Sequence, residues 1–185
     1  MEQTIIEYKP TIFNTPKKLI KLGTAWVGLE SIIYDILVRF NINTNIALEF
    51  GVEWGFSTAA FANYFTQVVG VDTFTGDIHS GVKQCHLNST KENLKDFDNI
   101  VLIKSDYKEF IKNNKNRYNL IHVDIVHDYE HTYECGLWSV NHSDVTLFHD
   151  TVSFNDVNNA VKDICKLIGK TYYNYPKHYG LGIIV

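Results

Sequence analysis

The sequence predicts an α/β fold, a mostly parallel sheet of seven strands covered by helices on both faces. Two observations carry this. Short runs rich in Val and Ile alternate with amphipathic stretches of helical spacing from residue 24 to 168, and the strand-like runs repeatedly end in an acid. A third fixes the close of the chain. "KTYYNY" and "GLGIIV" are joined only by "PKHY", which leaves no room for a crossover helix, so the C-terminal strand is antiparallel.

The elements follow in order. In "TAWVGLESIIYDILVRF" (24–40), Trp26, Leu29, Ile33, Ile36, Leu37 and Phe40 fall on one helical face. "NIALEF" (45–50) reads as a buried strand, and "GFSTAAFANYF" (55–65) as a helix with small residues along one side. "QVVGVD" (67–72) is a strand, followed by the polar loop "TFTGDIHSGVKQCH" (73–86). "STKENLKDF" (89–97) fits a short helix capped by Ser or Thr with Glu92 behind it. The alternation continues with strand 100–105, helix 106–114, strand 118–124, helix 129–140 and strand 144–150. In helix 155–168, Val157, Ala160, Val161, Ile164 and Ile168 share a face. No repeat or linker divides the chain, so 1–185 reads as a single domain with residues 1–23 as an N-terminal arm. That arm is free to pack against a second copy, which leaves a homo-oligomer open.

Composition excludes some functions. Hydrophobic residues are 45% and charged residues 21%, with a formal net charge of -4 and no basic block. That argues against nucleic acid as a partner, since binding phosphate needs a concentrated basic face; the three lysines of "TPKKLIKLG" read as a solvated turn. No run is apolar enough for a signal peptide or a membrane span. Cys85, Cys135 and Cys165 form no CxxC pair, so a reduced, cytoplasmic protein with buried, inert thiols is expected.

The strand-end acids point to a site. Glu49, Asp72, Asp124 and Asp150 end strands and Asp106 follows one. In open α/β sheets, ligands bind beyond the carboxyl ends of the strands. One such acid is commonly a helix cap; five along one edge suggest a pocket. In "ALEFGVEWGFS" (47–57), an acid precedes two glycines at a strand-to-helix turn. The glycines let the backbone approach a ligand closely, while the carboxylate disfavours phosphate and suits hydroxyls or positive charge.

These segments resemble the class I S-adenosylmethionine (SAM)-dependent methyltransferases of the "methyltransferase type 24" group. "ALEFGVEWGFS" is similar to their motif I, E-x-G-x-x-x-G-x-S; "GVDTFTGDIHSG", "LIHVDIVHDYE", "LFHDT" and "YGLGIIV" resemble further segments in the same order, and Trp26 matches a tryptophan in the preceding helix. The resemblance implies a Rossmann-like fold and SAM as cofactor. Gly51 and Gly55 would let the backbone approach its amino-acid end, Ser57 would belong to the same cofactor site, and Glu49 would lie near its positive end. Asp72, with Thr73 and Phe74 after it, would receive the ribose hydroxyls. Ser105 and Asp106 would sit by the adenine. Asp124 would belong to the cofactor site and orient the base or the substrate. Two segments depart from the pattern: Ile125 and Val126 follow Asp124 where the family has glycine, and "NHSD" replaces a P-x-G turn.

The implied reaction is methylation of a hydroxyl on a small molecule or carbohydrate. Such a transfer needs alignment, exclusion of water and removal of a proton. His127, beside Asp124, is the expected base. His149 is the second candidate, but strand alternation aims it away from Asp150 unless the strand bends there. Asp124 and Asp150 also suit Mg²⁺ or another divalent ion. His79 and His86 lie in the long loop, where they could touch an acceptor or stand as surface histidines; His122, His131, His142 and His178 carry no assignment. A branched Ile125 motivates an alternative, a SAM-binding protein without methyl transfer. A nicotinamide-dependent oxidoreductase is a third reading, weakened by the absence of G-x-G-x-x-G.

Overall fold

The computed structural model describes residues 4–76 and 84–185. Its strands are β1 (Ile5–Glu7), β2 (Ile46–Phe50), β3 (Gln67–Asp72), β4 (Ile100–Lys104), β5 (Tyr118–Val123), β6 (Ser143–His149), β7 (Tyr172–Tyr175) and β8 (Leu181–Ile184). The helices are α1 (Ile33–Arg39), α2 (Phe56–Ala62), α3 (Leu87–Asn93), α4 (Tyr107–Asn113), α5 (Tyr129–His142) and α6 (Asn155–Ile168). All eight strands form one sheet in the order β1-β7-β8-β6-β5-β2-β3-β4. Strands β2 to β6 run parallel, β8 is antiparallel to both β6 and β7, and β1 is parallel to β7.

The sheet is Rossmann-like, as expected, with one strand more than the seven foreseen. The arm supplies it: Ile5–Glu7 pairs with Tyr172–Asn174, and Tyr8 N–H donates to the Asn174 carbonyl at 2.8 Å. The arm therefore joins its own sheet at residues 5–8. Asp35, on α1, accepts from the Tyr8 hydroxyl at 2.5 Å, from the Thr11 amide and hydroxyl, and from the Ile12 amide, and it pairs with Arg39 at 3.1 Å. Leu19, Ile20 and Leu22 then pack on the core.

The sheet separates two apolar cores. One joins Trp26, Leu29, Ile33, Ile36 and Phe61 to Ala47, Leu120 and Leu147; the other joins Leu48, Phe50, Ile121 and Phe148 to Cys135, Val161 and Ile164. The alternating residues of each strand feed opposite faces, as a sheet covered on both sides requires.

Several boundaries differ from expectation. The helix expected from residue 24 is broken: Gly28 sits at φ +106, a short 3-10 turn covers Leu29–Ser31, and α1 begins only at Ile33. Helix α3 starts at Leu87 with His86 as its N-cap and makes no side-chain cap. Cys135 and Cys165 are buried as expected, but Cys85 is exposed. Among the described residues, no helix is long and apolar enough to cross a membrane.

Candidate active site

The strand order brings the acids to one place. From β4 across β3, β2 and β5 to β6, the chain leaves the sheet edge at Asp106, Asp72, Gly51, Asp124 and Asp150 in turn. With neighbouring strands about 4.8 Å apart, the row is about 19 Å long. Strand β2 is the switch point, since its successor β3 lies on one side and β5 on the other. A cleft of about 640 Å³ opens along this edge. Gly51, Asp72, Thr73, Ser105, Asp106, Asp124, His127, His149 and Asp150 all line it, and Leu22 and Gly23 of the arm, with Thr24 and Ala25 just after it, form part of its wall.

The close approach at the switch point explains Gly51. It stands at φ +88, and a Cβ there would meet the Asp124 carbonyl oxygen at 1.6 Å. Its neighbours are set by Asp72, whose Oδ2 accepts from the Val52 and Glu53 amides at 2.9 and 2.8 Å while Oδ1 accepts from Phe74 N–H at 2.6 Å. Asp72 thus shapes the loop after β2 and still borders the cleft. Asp106 caps α4, accepting from Lys108 N–H at 2.8 Å, and borders the cleft as well.

Other expected cofactor residues lie elsewhere. Glu49 is fully buried and does not line the cleft. Its carboxylate accepts from the Thr58 hydroxyl and pairs with His122 Nδ1 at 2.9 Å. Trp26 Nε1–H donates to His122 Nε2 at 3.3 Å, so Nδ1 carries the ring proton and donates to Glu49. The carboxylate that the resemblance set near the cofactor's positive end is thus held behind the cleft wall by two internal donors. Gly55 (φ +92) sits at the N-cap of α2 against Leu94, and Phe74 is fully buried, so each shapes the site through its backbone. Ser57 lines a small pocket of about 30 Å³ that shares Gly51, Glu53, Trp54 and Asp124 with the cleft. His79 lies outside the described residues. His86 is buried rather than on the surface.

At the far end, two acids and two histidines form one cluster. His127 Nε2 lies 2.9 Å from Asp150 Oδ2 and 3.5 Å from Asp124 Oδ1, with its ring stacked on Phe154 at 4.4 Å. His149 Nδ1 lies 3.1 Å from Asp124 Oδ2 and 3.3 Å from Asp150 Oδ2, and its Nε2 lies 3.3 Å from the His178 carbonyl. His149 does not point away, because Asp150 adopts φ +62 and turns its carboxylate back. Burial alone would lower the His127 pKa, but hydrogen bonds and attraction from Asp124 and Asp150 outweigh it and push the pKa up to about 10. His149 is raised in the same way, against burial, chiefly by Asp124. Burial works against the charge of Asp124 too, yet His149 and His127 hold its carboxyl far below the usual range. The two carboxylates thus favour the charged form of His127. One ligand atom each from Asp124, His127 and Asp150 lie within 4.8 Å of one another.

A Rossmann-like sheet with this acidic edge has the architecture of the SAM-dependent methyltransferases. Residues 48–151 match the model of the Methyltransf_24 family, a methyltransferase domain. The chain belongs to this family and is a SAM-dependent methyltransferase. Solved structures share the fold. A chain from Klebsiella pneumoniae, provisionally assigned as an O-methyltransferase, is 14% identical with a TM-score of 0.65, covering 89% of this chain and 82% of that one. The S-adenosylhomocysteine (SAH)-bound methyltransferase PaMTH1 from Podospora anserina is 13% identical with a TM-score of 0.60 over 84% and 76%. An O-methyltransferase from Bacillus cereus in complex with SAH is 13% identical with a TM-score of 0.58 over 81% and 77%. No curated protein matches the sequence.

Proposed function

We propose that the chain transfers the methyl group of SAM to a hydroxyl of a small molecule or carbohydrate. The observation that carries this is the order of groups along the sheet edge: Asp106 and Ser105, then Asp72, then Gly51, then Asp124 and Asp150. An extended SAM laid along that row meets acceptors for the adenine amino group and the ribose diol, then a backbone open to the amino-acid end. Its sulfonium then faces the acid–histidine cluster, where an acceptor hydroxyl is wanted. SAM has no phosphate, so an acidic edge suits it. Relatives described as O-methyltransferases support oxygen as the receiving atom. The acidic net charge and the absence of a basic block support a small acceptor over nucleic acid. The same reading takes the chain as one cytoplasmic working unit.

Asp124, His127 and Asp150 fit a divalent ion in donor number and spacing. Oxygen donors favour Mg²⁺, and the imidazole admits Mn²⁺ or another transition metal. When bound, such an ion would lower the pKa of an acceptor hydroxyl. The protein's own contribution is orientation: His149 holds Asp124 through one carboxylate oxygen, Phe154 backs His127, and Leu22–Ala25, at the end of the arm, wall off water.

Calorimetry should show binding of SAH but not NAD, with Asp72→Asn weakening SAH at least about tenfold through lost charge-assisted hydrogen bonds. Tight NAD binding would sink the cofactor reading. Chelation should abolish transfer and Mg²⁺ or Mn²⁺ restore it; full activity after exhaustive chelation would leave the cluster as orienting groups alone. Ile125 and Val126 line the cleft, and this favours a second reading in which SAM binds without transfer. Tight SAH binding with no methylation in a broad panel of hydroxylated acceptors would support it.

A further inference from the structure

His86 is 6% exposed and lines the cleft, yet neither of its ring nitrogens has a hydrogen-bond partner among the described residues. An imidazole offers a donor and an acceptor, and leaving both unmade in a buried position is costly. Packing does not require a histidine there. The ring sits 4.5 Å from the Trp54 ring and 5.8 Å from the Phe74 ring, an environment that phenylalanine would fill with no polar atom left over. Two unpaired nitrogens in a buried cleft wall are what a binding residue looks like before its ligand arrives.

The backbone says which part of the cleft His86 serves. Its N–H donates to the Phe74 carbonyl at 2.9 Å, and Phe74 N–H donates to Asp72 Oδ1 at 2.6 Å. His86 and Asp72 are thus tied to the two sides of one residue, at the end of β3. The cluster around Asp124 is two strands away in the sheet order, about 10 Å. Asp72 is an acceptor only, and it already takes three backbone N–H groups. A hydroxyl donating to Asp72 keeps lone pairs that need a donor, which Asp72 cannot supply and an imidazole N–H can.

We propose that His86 is a ligand-binding residue that hydrogen-bonds a hydroxyl of the cofactor ribose, completing from above the contact that Asp72 makes from the strand end; this rests on the cofactor site proposed above. Trp54 and Phe74 keep water from that bond. A sugar lacking one hydroxyl would leave the imidazole unpaired again, so His86 also selects for an intact ribose diol.

His86→Phe is the test, because it keeps a ring against Trp54 and removes only the nitrogens. Calorimetry with SAH should show a loss of about 3- to 10-fold. With the 2′-deoxy or the 3′-deoxy analogue of SAH, whichever lacks the bonded hydroxyl, wild type and variant should bind alike. Without ligand, the variant should unfold at a higher temperature than wild type, since two unmade polar contacts are gone. His86→Gln, which keeps a donor and an acceptor, should recover part of the affinity. Equal SAH binding by wild type and His86→Phe would overturn the proposal and leave the cofactor site standing. A deficit that persists with both deoxy analogues would overturn the ribose assignment. Lost binding with a lowered unfolding temperature and no recovery in His86→Gln would mark a structural histidine and overturn it as well. No SAH binding by the wild type would overturn the cofactor reading itself.

Discussion

Gly51 and Glu49 sit two residues apart in one motif, and the structure uses them in opposite ways. Gly51 is where two backbones meet. A Cβ would lie 1.6 Å from a carbonyl oxygen that cannot swing aside, at a φ of +88. Gly51→Ala should destabilise by about 3 kcal/mol or more, lowering the thermal midpoint by roughly 6–12 °C. Gly169 is the control: its φ is +68, but a Cβ there meets nothing within 4 Å among the described residues, so Gly169→Ala should cost only about 1 kcal/mol. A similar loss in both variants would mean that backbone conformation, not the close approach, sets the cost. Glu49 faces inward, where Thr58 and the His122–Trp26 pair satisfy it. His122→Leu would leave a buried carboxylate with one donor and should cost about 3–5 kcal/mol in chemical denaturation. A near-neutral result would show that Glu49 takes up a proton instead.

At the scale of elements, one carboxylate gathers the arm between its strand and the residues that pack on the core. Burial raises the Asp35 pKa, but hydrogen bonds from Tyr8, Thr11 and Ile12 outweigh it, and the carboxyl lies below its ordinary value. A group depressed on folding contributes stability that is present above its unfolded pKa, near 3.9, and is lost as the pH falls through the folded value. Acid should therefore loosen the arm below about pH 4. Asp35→Asn should remove that component of the pH dependence and expose residues 8–23 to limited proteolysis at neutral pH. Because Leu22–Ala25 wall the cleft, it should also weaken SAH binding; an arm as resistant as in wild type would show that β1 and the Leu19–Leu22 contacts hold it unaided. This anchor was not legible in the sequence, since contacts between residues 8–12 and 35 leave no periodic trace. Helix α6 and strand β3 were legible to the residue, because apolar spacing fixes them and nothing competes. The helix read from residue 24 failed at Gly28, whose left-handed turn overrides the apolar period around it. Within the site, the row of acids could be read from strand ends alone. The His127–Asp150 contact could not, because it depends on the φ of +62 at Asp150 that reverses the strand's alternation. That His86 is buried and without a partner among the described residues was equally hidden, since nothing in its loop sequence separates a buried histidine from a solvated one.

At the scale of the whole molecule, the cleft belongs to no single element. Its wall draws on the arm and on the chain after β2, β3, β4, β5 and β6, so a ligand that fills it ties together strands from both sides of the switch point. Such a ligand binds the folded chain and has no site on the unfolded one, so it stabilises by mass action. At a free concentration of 100 times its Kd, SAH should add about 2.7 kcal/mol. For a chain of this length, each kcal/mol is worth roughly 2–4 °C, so the thermal midpoint should rise by about 5–11 °C. NAD at the same concentration should leave it unchanged, because its pyrophosphate would face the acidic row. The shift should shrink in Asp72→Asn at a fixed SAH concentration, since the lower affinity reduces the degree of saturation. It should survive in His127→Ala, because that side chain lies at the acceptor end of the row. Scanning fluorimetry on the three proteins reads all of this at once. If His127→Ala abolishes the SAH shift while Asp72→Asn preserves it, the cofactor lies along the edge in the opposite sense, and the acceptor site belongs beside β3 and β4.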